Sequence, residues 1–102
     1  MDDKNKLSVL EDTLFREKPV RILISMKTNK AIYPTVLARE INCTYSHVLN
    51  ILKIFQRMGI VTFKKTGRIK RVALTSDGWN IANNMDALMK KFGQMKEVKY
   101  VQ

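Results

Sequence analysis

Thr35-Val36-Leu37-Ala38-Arg39-Glu40-Ile41-Asn42-Cys43-Thr44-Tyr45-Ser46-His47-Val48 is the stretch whose reading decides the fold. Leu37, Ala38 and Ile41 recur at the spacing of one helical face, with Arg39 and Glu40 on the other. Pro34 opens this helix, because a missing N–H costs nothing in the first helical turn. Asn42-Cys43-Thr44 leaves room only for a tight connection, and Thr44 brings the hydroxyl that caps a following helix. The second helix extends to about Met58, where Gly59 stops it. At about 100° per residue, Val48, Ile51, Leu52, Phe55 and Met58 fall on one side. Ser46, Asn50, Lys53 and Arg57 gather on the opposite side, which is polar, cationic and free of acid.

Upstream, Leu7, Leu10 and Leu14 predict a short helix over about 7–16. Pro19 sits in the first turn of the next helix, whose apolar face is Val20, Ile22, Leu23 and Met26. Lys27-Thr28-Asn29-Lys30 is a polar break, and Ala31-Ile32-Tyr33 suits only a minimal strand. Downstream of Gly59 the period changes from helical to alternating. Ile60–Phe63 and Ile69–Leu74 read as strands, with Lys65-Thr66-Gly67-Arg68 as the hairpin tip and Gly67 free to take positive φ. Thr75 caps a last helix, over about 76–93, with Ile81, Ala82, Met85, Leu88, Met89 and Phe92 at helical spacing, and the chain from Gly93 onward is expected to fray. The expected fold is mainly α with a small β-sheet: a three-helix core, a two-stranded wing and extra terminal helices. It occupies residues 1–102 as one domain, with its core over about 19–78.

Composition sharpens this plan. The chain has 102 residues, 45% of them apolar, and a formal charge of +10 with a pI near 10. No run of about 18 apolar residues is present, so no spanning helix and no membrane partner is expected. The charged N-terminal residues do not resemble a signal peptide, which points to a cytoplasmic protein. Cys43 is the only cysteine and His47 the only histidine, so neither a disulfide nor a metal cluster is expected. Cys43 reads as a buried, inert thiol and His47 as an exposed or phosphate-contacting side chain. No Ser/His/acid set, glycine-rich phosphate loop or carboxylate pair comes together, so no catalytic residue and no cofactor is assigned. The charge is unevenly placed: between Glu40 and Asp77 there is no acid, whereas Lys53, Arg57, Lys64, Lys65, Arg68, Lys70 and Arg71 all lie there. Such a surface fits a polyanion.

The element order is that of a winged helix-turn-helix, and residue detail adds to it. The stretch Thr35 to Val48 resembles the two-helix signature of prokaryotic winged-helix regulators. Met58-Gly59-Ile60-Val61 is similar to their entry into the wing, and Leu74-Thr75-Ser76-Asp77-Gly78 to the Leu-Thr-x-x-Gly that closes it in MarR-like and PadR-like proteins. The three occur in order across residues 20 to 80. The resemblance implies a sequence-specific binder of double-stranded DNA, a transcriptional regulator associated with the nucleoid. Its recognition helix, about 44–58, would lie in the major groove, and its basic wing, about 62–72, on the backbone or minor groove.

The expected DNA-binding residues are Thr44, Tyr45, Ser46 and His47 in the first turn, then Asn50, Lys53 and Arg57, then Lys64, Lys65, Arg68, Lys70 and Arg71 on the wing. Asn50 has the amide that pairs with an adenine edge, while the wing charges supply affinity rather than sequence choice. Leu49 borders this face, against a thymine methyl or, more in keeping with its chemistry, packed under the wing or a partner subunit. The terminal helices offer more apolar surface than a small core buries, which predicts a homodimer joined through them. Nothing specifies a small-molecule effector. The alternatives are a winged-helix adaptor for protein contacts in a transcription or replication assembly, or a non-specific nucleic-acid binder.

Overall fold

A computed structural model describes residues 7–8, 10–28 and 32–95. The helices are α1 (Glu17–Thr28), α2 (Pro34–Glu40), α3 (Tyr45–Arg57) and α4 (Ser76–Gln94), and the antiparallel strands β1 (Val61–Thr66) and β2 (Ile69–Leu74) stand between α3 and α4. The expected class, mainly helical with a small sheet, is what the chain adopts. Ile22, Leu23 and Met26 of α1, Leu37 of α2 and Val48, Leu52 and Phe55 of α3 form a fully buried centre, closed by Ile60, Val72 and Ala82.

Two successive helices end in the same way. Beyond α2, Cys43 N–H donates to Ala38 C=O (2.9 Å) and Asn42 N–H to Arg39 C=O (3.3 Å), with Asn42 at φ 55°. Beyond α3, Ile60 N–H donates to Phe55 C=O (2.9 Å) and Gly59 N–H to Gln56 C=O (3.1 Å), with Gly59 at φ 79°. Each is a Schellman ending, and the residue in the left-handed region is one of the two types that tolerate it best. Lys18 Nζ reinforces the first by donating to Ile41 C=O (3.0 Å) and Asn42 C=O (3.2 Å), a cation at the negative end of a helix.

The sheet differs in extent from the reading of the sequence. β1 runs on to Thr66, paired with Ile69, rather than stopping at Phe63. Lys64 and Lys65 interrupt the apolar alternation without interrupting the ladder, because a two-residue loop of Gly67 and Arg68 closes the hairpin only if pairing continues to its base. Gly67 at φ 63° provides the left-handed position. The minimal third strand is represented by Ile32, which exchanges both backbone hydrogen bonds with Val72 (3.0 and 2.9 Å); Ala31 lies outside the described residues.

The terminal segments differ in detail from the reading of the sequence. Near the N-terminus, where a helix over 7–16 is expected, Leu7 and Ser8 are helical and Leu10–Leu14 forms a π-helical turn. Leu14 is buried there, while Leu7 and Phe15 are exposed. At the other end α4 runs to Gln94, one residue past the expected end. The tail beyond Met95 lies outside the described residues. Asp86 of α4 meets Lys27 of α1 at 2.6 Å and Lys90 at 3.1 Å. The hydrogen bond from Lys27, then that from Lys90, holds its carboxyl below the ordinary carboxylate range.

The junction between α3, the wing and α4 is the tightest point. Thr75 N–H donates to Ile60 C=O (2.9 Å), the Thr75 hydroxyl donates to Gly59 C=O (2.6 Å), and its Oγ1 accepts from Gly78 N–H (3.0 Å). A Cβ on Gly78 would collide with the Ile60 carbonyl oxygen, which is backbone and has no room to yield. Gly78→Ala is expected to destabilise the protein by about 2–3 kcal/mol in urea unfolding, with loss of the α3–wing junction; a midpoint equal to that of the parent chain would contradict the packing described.

Candidate nucleic-acid interface

α3 begins at Thr44, whose side chain accepts from His47 N–H at 3.2 Å and so fixes the first turn. Val48, Ile51, Leu52 and Phe55 then face inward, which turns Ser46, Asn50, Lys53 and Arg57 outward; all four are exposed, as are Thr44, Tyr45 and His47. Leu49 is half-buried. His47 points along a different flank from Asn50 and Arg57. With Ile51 and Ile54 it lines an open groove of about 270 Å³, completed by Asp12, Thr13, Arg16, Glu17, Lys18 and Pro19. Cys43 is half-buried and packs against the core at the turn between the helices.

The wing divides its charges between two faces. Successive strand residues point to opposite sides, so the register places Lys65 and Lys70 on the face shared with Phe63 and Val72. Lys64 and Arg71 stand opposite each other on the other face, and Arg68 lies in the loop. All five cations are exposed. Both cross-strand pairs set like charges directly opposite one another, an arrangement that weakens a hairpin by roughly 0.2–1 kcal/mol per pair. Local contacts offset part of that cost: Lys70 Nζ lies 4.4 Å from the centre of the Phe63 ring, and Arg71 lies against Tyr33. Among the described residues no carboxylate forms an ion pair with these cations, and Ile41 to Ser76 contains none.

Reading the sequence alone missed Tyr33, which accepts hydrogen bonds from Arg71 Nε (3.2 Å) and Nη2 (2.9 Å). Its only signal was the place beside Ile32 in the minimal strand: once Ile32 pairs with Val72, antiparallel register sets Tyr33 against Arg71. Among the described residues no group of three or more His, Cys, Asp or Glu comes together. No helix among them is long and apolar enough to cross a membrane.

No protein-family profile matches the chain. An uncharacterized protein of Archaeoglobus fulgidus is 29% identical over 80 residues, covering 74% of this chain and 84% of its own. Among solved structures, AF1382 from Archaeoglobus fulgidus superposes with a TM-score of 0.75 at 26% identity, over 91% of this chain and 100% of that one. The MarR family transcriptional regulator SPO1453 from Silicibacter pomeroyi gives a TM-score of 0.73 at 24% identity; 88% of this chain is covered, which spans 65% of that protein's chain. MepR of S. aureus, in a complex with DNA, gives 0.70 at 16% identity over 89% of this chain and 77% of that one. The fold is a MarR-like winged helix, as the motifs imply.

The wing electrostatics are open to a direct test. Lys65→Glu replaces a repulsive cross-strand pair with an attractive one, and the free protein is expected to gain about 0.5 kcal/mol in thermal unfolding at low salt, a gain that shrinks as salt is added. A loss of stability would show that Lys65 is already neutralised within the fold.

Proposed function

We propose that the chain is a transcriptional regulator that binds double-stranded DNA, with α3 in the major groove and the wing on the adjacent backbone or minor groove. One observation carries this reading: the outward row Ser46, Asn50, Lys53 and Arg57 shares an acid-free segment with a hairpin whose like charges face each other in register. A protein surface that keeps such pairs unneutralised gains free energy when phosphates arrive and counterions leave. The complex of MepR with DNA belongs to a protein of the same fold and adds to the case. In this reading Asn50 reads a base edge, Lys53 and Arg57 reach a base edge or a phosphate, and Thr44, Tyr45, Ser46 and His47 line the first turn. Lys64, Lys65, Arg68, Lys70 and Arg71 provide affinity with little sequence choice. Cytoplasmic, nucleoid-associated placement follows from that partner.

The test is a duplex-binding titration against salt, using sequences selected from a random pool. Affinity is expected to fall steeply with salt, Arg57→Ala to reduce the log–log slope by about 0.9 if it meets a phosphate, and Asn50→Ala to cost about 1–3 kcal/mol on the selected site and little on a scrambled one. Weak binding that ignores salt would remove the proposal in favour of a protein-binding adaptor. Equal affinity for scrambled duplexes would leave only a non-specific binder.

The regulator is proposed to act as a homodimer. Along α4, Leu88, Met89, Phe92 and Met95 are exposed, Phe92 at 66% and Met89 at 53%, and Phe15 stands exposed beside them. Phe15, Val20 and Met89 share a groove of about 350 Å³ with Arg16, Glu17 and Arg21. A two-fold pairing of these terminal segments covers the stripe and matches a palindromic site. Sedimentation at micromolar concentration is expected to give a dimer, and the pair Met89→Lys and Phe92→Lys a folded monomer; a monomeric parent chain would exclude this assembly.

A further inference from the structure

The contact between Tyr33 and Arg71 has a geometry that a simple surface buttress does not require. Arg71 directs both Nε–H and one Nη2–H at the same phenolic oxygen, at 3.2 and 2.9 Å. Two bonds from one planar group to one atom fix the plane of the guanidinium as well as its position. The Arg71 Cζ is 5.1 Å from the Tyr33 ring centre, so the guanidinium sits toward the hydroxyl end of the ring and the oxygen dominates its placement. The main chain that carries Tyr33 is fixed: its neighbour Ile32 is bonded to Val72 on both sides, and the Tyr33 carbonyl accepts from Val36 N–H (3.0 Å) and Leu37 N–H (3.1 Å) at the start of α2. The root of the side chain is therefore tied to the sheet and to the helix-turn-helix at once.

This arrangement leaves donors over. A guanidinium has five N–H groups, and the two spent on Tyr33 leave the Nη1 pair and the second Nη2 hydrogen available along its outer edge. The phenol accepts from Arg71, so its own O–H proton stays available as a donor beside them. Across the sheet the register continues the row to Lys64, a cation facing the same way. Several donors and two positive charges in one row, with no carboxylate in the segment from Ile41 to Ser76, match a phosphate group.

We propose that Tyr33 is a positioning residue that holds the Arg71 guanidinium at the root of the wing as a preformed fork for a DNA phosphate. The proposal rests on the DNA-binding reading above and adds to it the residue that orders one of the contacts in advance. Free arginine side chains lose considerable rotamer entropy on binding, and Tyr33 removes much of that loss before DNA arrives.

The test is a double-mutant cycle on the full chain with the selected duplex, measured across a range of salt concentrations. Arg71→Ala is expected to weaken binding about ten-fold and to lower the salt slope by about 0.9. Arg71→Lys keeps the charge and restores the slope, yet not the affinity, because an ammonium lacks the fork. Tyr33→Phe keeps the ring and removes only the oxygen; it should weaken binding about three- to five-fold with the slope retained, and add nothing in the Arg71→Ala background. In the free protein, the Arg71 Nε–H resonance should exchange slowly with water in the parent chain and quickly in Tyr33→Phe. Steep salt-dependent binding by the parent chain with Tyr33→Phe unaffected, or a Tyr33→Phe loss that persists undiminished without Arg71, would overturn the positioning role while the DNA-binding reading stands. Absence of salt-dependent duplex binding by the parent chain would overturn both.

Discussion

The carbonyl oxygen of Ile60 is the point on which the arrangement of the outer elements depends. It belongs to the last residue of the turn between α3 and β1, it accepts from Thr75 N–H, and it lies against the bare Cα of Gly78. Because the Thr75 side chain at the same place both grips Gly59 and caps α4, three elements are referenced to one short length of backbone. Helix packing alone tolerates shifts in crossing angle. A backbone contact with no Cβ between the partners does not. The pose of α3 relative to the wing is thus set by close approach rather than by the volume of interchangeable apolar side chains.

Against that fixed frame, the charges of the wing do not add to the stability of the fold. All of the acid lies outside the segment from Ile41 to Ser76, and the ion pairs among the described residues, Arg21 with Glu17 and Asp86 with Lys27 and Lys90, involve α1 and α4. The wing carries opposed cations instead, which among the described residues lie against the aromatic rings of Phe63 and Tyr33. Exposed ion pairs contribute little in any case, so their absence from the hairpin costs the fold a modest amount. What it preserves is a hairpin whose five cations are all exposed.

Much of this was legible in the sequence because it rests on local rules. Thr44 and Thr75 as caps, Gly59 as a stop, Pro34 as a start and Gly67 in the hairpin loop each act within a few residues of their own position, and all appear where the pattern places them. The buried and exposed sides of α3 likewise follow from its period. The misreadings arise where distant partners decide. The length of β1, for instance, depends on its ladder with β2 rather than on its own alternation. Lys18, which closes the end of α2 from 23 residues away, and Tyr33, which meets Arg71 from 38 away, have no local signature at all. Part of the candidate site, the outward face of α3, could be read from periodicity; the ordering of the wing root could not.

The paired Schellman endings have an implication for how the outward face of α3 can change. The turn between α2 and α3 is closed by main-chain bonds, by Asn42 in the left-handed region and by Lys18 reaching the last carbonyls, and none of these uses a side chain from the outer face of α3. Ser46, Asn50, Lys53 and Arg57 are mechanically decoupled from the hinge that aims them. The outer face is therefore an exchangeable cartridge on a stationary mount: its letters can be rewritten by substitution, one position at a time, without re-aiming the helix that presents them.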